Sequence, residues 1–238
     1  MKLLVITPTY NEAHNITTLL ERLFSIGLDI KVLVIDDNSP DGTSRIVERL
    51  RERNSNLLLI TRPKRLGLGS AYREGFRFAI EKAFDAVIQI DADLSHAPHT
   101  ILEMAPLMNT FDLVIGSRYV AGGGVHNWSL SRKLLSKYAN RFVRSMLAFP
   151  VHDATSGFKC VKTDVLKKLD FSKISSKGYA FQIEMVYEAF VRGCRITEYP
   201  IIFEGRKKEK SKMSAAIVAE AFLRVLSLGF CTQLNPAQ

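Results

Sequence analysis

The chain has 238 residues, 47% hydrophobic and 24% charged, a composition that excludes disordered and fibrous proteins. Its length suits one large α/β domain, alone or with a short appendage. The formal net charge of +9 favours anionic partners such as nucleic acid, acidic lipid or phosphorylated small molecules, or else serves only solubility.

In the first part of the chain, short apolar runs alternate with segments of helical periodicity. The apolar runs predict strands at 3–7, 32–35, 57–60 and 86–90. The segments between them predict helices at 13–24, 45–53 and 69–84. Because strands that alternate with helices pair in parallel, this pattern predicts an α/β fold with a mostly parallel sheet and helices on both faces.

The second half of the chain is more mixed. A strand predicted at 196–203 is placed at a sheet edge, because Pro200 interrupts it. The elements predicted before it are a strand at 111–116, a flexible glycine loop at 122–124, a basic helix at 129–149, a loop entering a strand at 153–160, and helices at 164–169 and 179–192.

A final helix is predicted at 213–230, with a narrow polar stripe that includes the i,i+4 pair Glu220 and Arg224. It carries too many charges to span a bilayer and too many apolar residues to lie free in water. It therefore packs on the domain or lies on a membrane surface behind the basic segment 206–212. We accordingly expect a main domain at 1–212 and an appended amphipathic helix at 213–238.

Polar residues follow each of the first four predicted strands. In open α/β sheets ligands bind beyond the carboxyl ends of the strands, so these residues are expected to face one crevice. Turn and helix-capping chemistry explains each segment alone, and it is their convergence that indicates a ligand site. The four segments are 8–12, 36–43, 62–69 and 91–96.

Asp91 and Asp93 lie two residues apart where the fourth predicted strand ends. Hard cations such as Mg²⁺ take carboxylate oxygens together with oxygens of a substrate phosphate. A metal bound to a diphosphate makes that diphosphate a better leaving group, so the pair predicts a divalent-cation and diphosphate site. Dinucleotide and P-loop sites are not indicated, because Tyr72 stands where G-x-G-x-x-G needs its last glycine and no Walker pattern occurs.

In combination these motifs resemble the family 2 glycosyltransferases of GT-A fold, and within them the dolichyl-phosphate or polyprenyl-phosphate mannosyltransferases. The resemblance covers about residues 1–230. The matching segments are Pro8-Thr9-Tyr10-Asn11-Glu12, 36–43, 62–69, Asp91-Ala92-Asp93, Gly116-Ser117-Arg118-Tyr119, Trp128 with Arg132, 153–158, 176–185, and Arg206 with 211–213.

The resemblance implies an inverting enzyme that moves mannose from GDP-mannose to dolichyl or polyprenyl phosphate and releases GDP, with Mg²⁺ or Mn²⁺ as cofactor. It leaves open UDP-glucose or another nucleotide sugar as donor, and a glycan hydroxyl as acceptor. A basic module that binds nucleic acid is disfavoured, because such a surface interleaves aromatic residues with Lys and Arg and the segment 206–212 has none.

The resemblance also assigns residues to the donor site. Asp91, Ala92 and Asp93 would face the diphosphate, with Asp93 as a metal ligand and Ser95 beside it, where relatives often have Gln. His96 is expected to be structural, since a hard cation prefers oxygen ligands. The residues that would line the nucleotide base and ribose are Pro8, Tyr10, Glu12, Ile35 and Asp37.

A lipid monophosphate is already an anionic nucleophile near neutral pH, so it needs cations to hold it rather than a carboxylate general base. Arg suits this task because it holds phosphate oxygens bidentately. Arg118 and Arg132 are thus candidate catalytic residues together with Asp91 and Asp93, and Arg118 also belongs to the expected nucleotide-sugar site. Lys159 stands where relatives often have Arg. The candidate phosphate-binding residues are Arg118, Arg132, Arg206 and Lys212, of which the last two are also expected at the nucleotide sugar.

Cys160, Cys194 and Cys231 are far apart and fit no metal or disulfide spacing, which indicates a reducing compartment. The N-terminal apolar run is too short for a secretory signal, and no apolar stretch is long and charge-free enough to span a bilayer. We therefore expect peripheral attachment to the cytoplasmic face of a membrane. Whether a small membrane subunit takes part stays open, and nucleic acid is not an expected partner.

Overall fold

A computed structural model describes residues 1–172, 174, 176, 178, 180–205 and 222–229 of the chain. Within these residues, a seven-stranded sheet is accompanied by a second sheet of two short strands. The strands are β1 (Leu3–Thr9), β2 (Ile30–Asp36), β3 (Leu57–Thr61), β4 (Ala86–Gln89), β5 (Leu113–Ser117), β6 (Gly124–His126), β7 (Lys159–Lys162), β8 (Ile196–Pro200) and β9 (Ile202–Glu204).

The main sheet has the strand order β3-β2-β1-β4-β7-β5-β8, and β6 pairs with β9 in the small sheet. β1 pairs in parallel with β2 and β4, β2 with β3, and β5 with β8. β7 runs antiparallel to both of its neighbours, β4 and β5. The mostly parallel sheet expected from the sequence is therefore confirmed.

Helices cover both faces of the main sheet. Successive strand residues face opposite sides, so that Leu4 and Ile6 belong to one core and Leu3 and Val5 to the other. The first core also contains residues of α3, α5, α6 and α7, and the second contains residues of α1, α2 and α4. The described helices are α1 (Ile16–Phe24), α2 (Thr43–Arg51), α3 (Leu68–Glu81), α4 (Ile101–Leu107), α5 (Leu130–Leu147), α6 (Thr163–Lys168) and α7 (Ala180–Val191).

Three features of the second half differ from the sequence-based expectation. α4 lies where no helix was predicted, because it has only 7 residues and contains Pro106. The strand predicted at 196–203 is two strands in different sheets, since β8 ends at Pro200 and β9 begins at Ile202; β8 does lie at the sheet edge, as predicted. Gly124, expected in a flexible loop, begins β6, which is too short to show a periodic pattern.

Residues 222–229 form a helical segment that packs on the domain. Val225 is buried in the first core, and the ring of Phe222 stacks on that of Phe142 in α5 with centroids 4.9 Å apart. Leu223 is exposed. This segment therefore has one face on the protein and one face in contact with the surroundings.

Arg224, expected to pair with Glu220, forms an ion pair with Glu184 of α7. Glu220, the basic segment 206–212 and most of the helix predicted at 213–230 lie outside the described residues. The division into a main domain and an appended helix therefore stays a prediction. Among the residues that the structure describes, no helix is long and apolar enough to cross a bilayer.

Candidate functional site

The carboxyl ends of the first four strands lie side by side. Leu3 of β1 is opposite Ile30 of β2 and Ala86 of β4, so these three strands start level. Asp36 at the end of β2 is opposite Thr61 at the end of β3. The four polar segments of the sequence therefore meet at one edge of the sheet, where open α/β folds bind their ligands.

Tyr10 and Glu12 follow β1 at this edge. The guanidinium of Arg65 lies 4.4 Å from the centroid of the Tyr10 ring, so the third polar segment covers the first. Glu12 is buried, and its Oε2 accepts a hydrogen bond of 2.8 Å from Asn15 Nδ2. Pro8 is partly buried at the same end of β1. These three predicted donor-site residues are thus close together.

Ile35 and Asp37 have different positions from those expected. Ile35 is fully buried in the first core, so its side chain supports the edge from beneath instead of lining a pocket. Asp37 is buried too, where its Oδ1 accepts a hydrogen bond from Arg62 Nε and its Oδ2 accepts bonds of 3.0 and 3.1 Å from the N–H groups of Leu66 and Gly67. Asp37 therefore fastens the loop between β3 and α3, and its contact with ribose stays a prediction.

Asp91, Ala92 and Asp93 follow β4 directly. Ala92 is buried, whereas the Asp91 side chain is 29% exposed and Asp93 is partly exposed. Asp93 Oδ1 accepts a hydrogen bond of 3.0 Å from the N–H of Ser95. Leu94 between them has φ of 62°, a left-handed conformation that is uncommon for a bulky residue and clusters at functional sites. The turn thus holds two carboxylates at the mouth of the crevice.

The oxygen atoms at this turn fit a hard divalent cation. Ser95 is buried, and its Oγ makes no hydrogen bond in the structure, which leaves an unused oxygen two residues from Asp93. Elsewhere and here, the described residues contain no group of three or more His, Cys, Asp or Glu side chains able to hold a metal. A cation at Asp93 and Ser95 would therefore take its other oxygen ligands from substrate phosphate and water.

His96 packs as a structural residue. Its buried ring lies 5.1 Å from the Phe158 ring and 5.2 Å from the Phe203 ring, measured between centroids. Its Nε2 is 3.3 Å from Asp91 Oδ2. Both distances agree with the expected structural role, since His96 faces Asp91 from within the protein.

Gly157 makes room for the Asp91 carboxylate. A Cβ at position 157 would lie 2.7 Å from Asp91 Oδ2 and 2.9 Å from Asp91 Oδ1, closer than real Cβ contacts. The loop before β7 therefore packs its backbone directly against this carboxylate. The motif that contains Gly157 contributed to the family resemblance, but the sequence did not show that it touches Asp91.

Arg118 forms a buried ion pair with Asp153. Its Nε and one terminal nitrogen each donate to a different oxygen of Asp153 at 2.7 Å, and the same terminal nitrogen donates to Thr155 Oγ1 at 2.8 Å. Burial alone would raise the pKa of Asp153, but the charge and hydrogen bonds of Arg118 hold it below its ordinary value. This fork geometry commits much of the Arg118 guanidinium to the protein, and phosphate binding by Arg118 stays a prediction.

Lys159 is a buried cation that the sequence marked only as a departure from relatives. Its Nζ donates to Gln182 Oε1 of α7 at 2.7 Å and to the carbonyl of Ser156. Burial lowers the pKa of Lys159 to about 7, against the opposing influence of Asp153 and Asp91. Lys159 thus places positive charge behind both carboxylates, and only its three-dimensional setting reveals this position.

Arg132 and Arg118 lie around the same aromatic ring. The Arg132 guanidinium is 4.0 Å from the centroid of Trp128, and that of Arg118 is 5.6 Å from it. The Trp128 ring is 5.3 Å from that of Phe203, which also contacts His96. The two predicted cations are therefore brought together and joined to the Asp91 turn through aromatic side chains.

Helix α5 is tied to this cluster by hydrogen bonds. Tyr119 Oη donates to Ser136 Oγ at 2.6 Å, and Asn140 Nδ2 donates to Thr155 Oγ1 at 3.0 Å. These bonds fix the inner face of α5, and with it Arg132, beside Arg118. Arg206 and Lys212, the other two predicted cations, lie outside the described residues.

The glycosyl transferase family 2 model matches residues 4–170. The chain is 38% identical over 237 residues to a polyprenol monophosphomannose synthase from Mycolicibacterium smegmatis, covering 99% of this chain and 89% of that protein. It is 39% identical over 233 residues to an undecaprenyl-phosphate mannosyltransferase from Micrococcus luteus, covering 98% of this chain and 96% of the relative.

Solved structures share the fold at low sequence identity. Glucosyl-3-phosphoglycerate synthase from Mycobacterium tuberculosis, solved with Mn²⁺ and UDP-glucose, has a TM-score of 0.72 at 18% identity, covering 96% of this chain and 80% of that one. A mannosyltransferase from Pyrobaculum calidifontis, solved with GDP-mannose and Mn²⁺, has a TM-score of 0.63 at 18% identity, covering 100% of this chain and 65% of that one. These similarities establish the fold.

Proposed function

This chain belongs to glycosyl transferase family 2, and from that premise we propose that it transfers mannose from GDP-mannose to a polyprenyl phosphate. The products are GDP and a polyprenyl-phosphate mannose. One observation carries the proposal: the Asp91–Asp93 turn and the Arg118–Arg132 cluster share one side of the molecule, in a chain whose near full-length relatives are named for this transfer.

The donor binds beyond the ends of β1 and β2. Pro8, Tyr10 and Glu12 contact the base and ribose, and Asp37 acts through the loop that it fastens to Arg62. This loop carries Arg65, whose guanidinium covers the Tyr10 ring. A buried ion pair that orders the loop before the donor arrives reduces the entropy lost on binding. The Pyrobaculum enzyme supports GDP-mannose as the donor, since it was solved with that nucleotide sugar.

The diphosphate binds at the turn after β4. Asp93 and Ser95 hold Mg²⁺ or Mn²⁺, and such a cation neutralises the charge that develops on the departing diphosphate. Asp91 is placed next to this group by Gly157 on one side and by His96 on the other. Because Lys159 lies buried behind it, part of the Asp91 charge is balanced by the protein itself. The Mn²⁺ bound by two structural neighbours supports a divalent cofactor.

The acceptor phosphate binds at Arg132 and at the outer side of Arg118. A phosphate monoester is already anionic near neutral pH, so these cations need only hold it in line with the anomeric carbon. Asp153 keeps the Arg118 guanidinium in a fixed plane through two hydrogen bonds of 2.7 Å. Attack opposite the departing diphosphate inverts the anomeric centre, which gives a β-linked product from an α-linked donor. Arg206 and Lys212 belong to the same proposal.

The proposal extends to attachment at the cytoplasmic face of a membrane, where the lipid acceptor resides. The predicted appended helix at 213–238 and the basic segment 206–212 contribute to this attachment. A small membrane subunit is not required by any contact among the described residues.

The full chain is tested by incubation with GDP-mannose labelled in the sugar, a polyprenyl phosphate and Mg²⁺ or Mn²⁺, followed by extraction into organic solvent. We expect label in the lipid phase, in a form that mild acid releases as mannose. UDP-glucose, tested in parallel, is expected to transfer much less label. Label found only on a soluble glycan, or transfer from UDP-glucose alone, would show that the proposed donor and acceptor are wrong.

A further inference from the structure

Helix α5 presents two different faces. Its inner face carries the buried residues Asn140, Val143 and Leu147 and holds Arg132 beside Trp128. Its outer face carries large apolar side chains at helical spacing in water-exposed positions. Their exposed fractions are 72% for Leu130, 43% for Leu134, 54% for Leu135 and 63% for Tyr138. Such a stripe on the side of a helix that faces away from its own core requires a partner surface.

A row of cations runs along the same helix next to the apolar stripe. None of the four forms an ion pair with a carboxylate among the residues that the structure describes, in contrast to Arg51, Arg192 and Arg195 elsewhere on the surface. Three of the four line a concavity of about 680 Å³ whose other walls include Phe149 and Pro150. The cations are Lys133, Lys137, Arg141 and Arg144, and together with Leu130, Leu134, Leu135 and Tyr138 they form what we call the α5 outer face.

The apolar side of this surface continues into the C-terminal helical segment. Phe222 stacks on Phe142 of α5 and is itself 47% exposed, and Leu223 beside it is 66% exposed. Two separate parts of the chain therefore contribute exposed large apolar side chains to one region.

We propose that the α5 outer face docks on an anionic lipid bilayer. Apolar side chains on one side of a helix and basic ones beside them are the pattern of helices that lie in the interface plane of a membrane. The cations match the charge of acidic headgroups, while the leucines and Tyr138 reach the acyl boundary. A second copy of this chain fits the surface less well, because two such faces would bring their unpaired cations together.

Docking in this way orients the catalytic site. Because Arg132 and the α5 outer face belong to one helix, the bilayer lies within one helix diameter of the Trp128 cluster, about 10–12 Å. A lipid phosphate at the bilayer surface then has a short path to Arg132. This consequence rests on the proposed function, whereas docking itself does not.

Vesicle co-sedimentation of the full chain tests the proposal. Vesicles of phosphatidylglycerol and phosphatidylcholine in equal parts are compared with vesicles of phosphatidylcholine alone, at low and high salt. We expect binding to the anionic vesicles that weakens with salt. The double variants Leu134→Glu with Tyr138→Glu, and Lys137→Glu with Arg141→Glu, are each expected to lower the partition coefficient by at least about tenfold.

Matched control variants carry the same changes on other faces. Leu102→Glu with Val191→Glu alters two residues of similar exposure, 42% and 52%, on α4 and α7. Arg49→Glu with Arg53→Glu reverses two exposed charges at α2. Both controls are expected to bind vesicles like the wild type, and circular dichroism and thermal unfolding verify that all four variants fold.

Wild-type binding by both α5 variants overturns the proposal, as does equal loss in the controls. If the α5 variants instead convert a dimer into a monomer and leave vesicle binding unchanged, the face is a contact between copies and the proposal is also wrong. Transfer to a short-chain isoprenyl phosphate in free solution separates the two proposals. The α5 variants are expected to keep it, and absence of transfer in the wild type contradicts only the proposed function.

Discussion

The two sides of the candidate site are built in different ways. The donor side, at the carboxyl ends of β1, β2, β3 and β4, consists of four short segments that each follow a parallel strand. The acceptor side consists of the end of β5, the loop 153–158 and α5, which meet through contacts between distant parts of the chain. A parallel sheet therefore encodes one half of a site in local motifs, while the other half depends on tertiary packing.

The difference appears in how each side holds its charges. On the donor side, Asp93 is positioned by the N–H of Ser95, two residues away. On the acceptor side, Arg118 is positioned by Asp153, 35 residues away, and Asn140 by Thr155. A local turn reforms by itself, whereas a buried ion pair exists only when the whole domain is folded. Changes on the donor side should therefore affect activity, and changes on the acceptor side should affect stability as well.

The largest effect is expected for Asp93→Ala, which removes a charge from the donor side. We expect transfer to fall by about 10³-fold, because the diphosphate loses a group that stabilises its departure. Thermal unfolding is expected to change little, since Asp93 is partly exposed and its printed bond is a local one. Initial rates measured at saturating donor, with Asp164→Ala on the surface of α6 as control, check this outcome. A variant with more than half of the wild-type rate would contradict the role of Asp93.

The next largest effect is expected for Asp153→Asn on the acceptor side. Removing one partner of a buried pair leaves the Arg118 charge poorly compensated, so the free energy of unfolding should fall by about 3 kcal/mol at pH 7. The pKa of Asp153 lies below its ordinary value of 3.8, so the carboxylate stabilises the fold above that pH, and this contribution is lost as the pH falls through the folded-state pKa.

Urea unfolding of wild type and variant at several pH values measures this contribution. The difference in unfolding free energy is expected to be full at pH 7 and to shrink as the pH falls below about 3.8. The control Asp164→Asn, an exposed carboxylate that pairs with Lys167, is expected to alter stability by less than about 0.5 kcal/mol. A difference that stays the same at acid pH would show that the ion pair does not stabilise the domain.

The smallest of the three effects is expected for Gly157→Ala, where the two sides of the site touch. The new methyl group would lie 2.7 Å from Asp91 Oδ2, so the carboxylate must shift. Because small displacements of positioned groups are costly, we expect transfer to fall by about tenfold. Gly124→Ala is a suitable control, since its Cβ would meet only the tip of Ile202 at 3.3 Å. Equal rates in both variants would indicate that Asp91 tolerates movement.

The sequence predicts the donor side well for a physical reason. Fully buried parallel strands are continuous apolar runs, so β1 to β4 and the polar residues after them stand out. The same reasoning locates Asp91 and Asp93 at the end of β4. It does not locate α4 or β6, because seven residues with an internal proline and three residues with two glycine neighbours show no period.

The contacts that fix the site are less predictable. Asp37 has the residue type and position of a ribose ligand, but the fold gives it Arg62 as a partner. Lys159 was visible only as a difference from relatives, since its bond to Gln182 joins positions 23 residues apart. Patterns along a chain report which face of an element is buried, and they do not report which polar groups meet inside it.

Gly157 shows how the site limits the stability of the loop that carries it. A glycine has more conformational freedom in the unfolded chain than any other residue, so fixing it on folding costs about 0.5–1 kcal/mol more than fixing alanine. An alanine here would reduce that cost and collide with Asp91. The loop therefore keeps a less stable residue so that a carboxylate can occupy the space of the missing side chain, a trade-off between stability and activity at a single position.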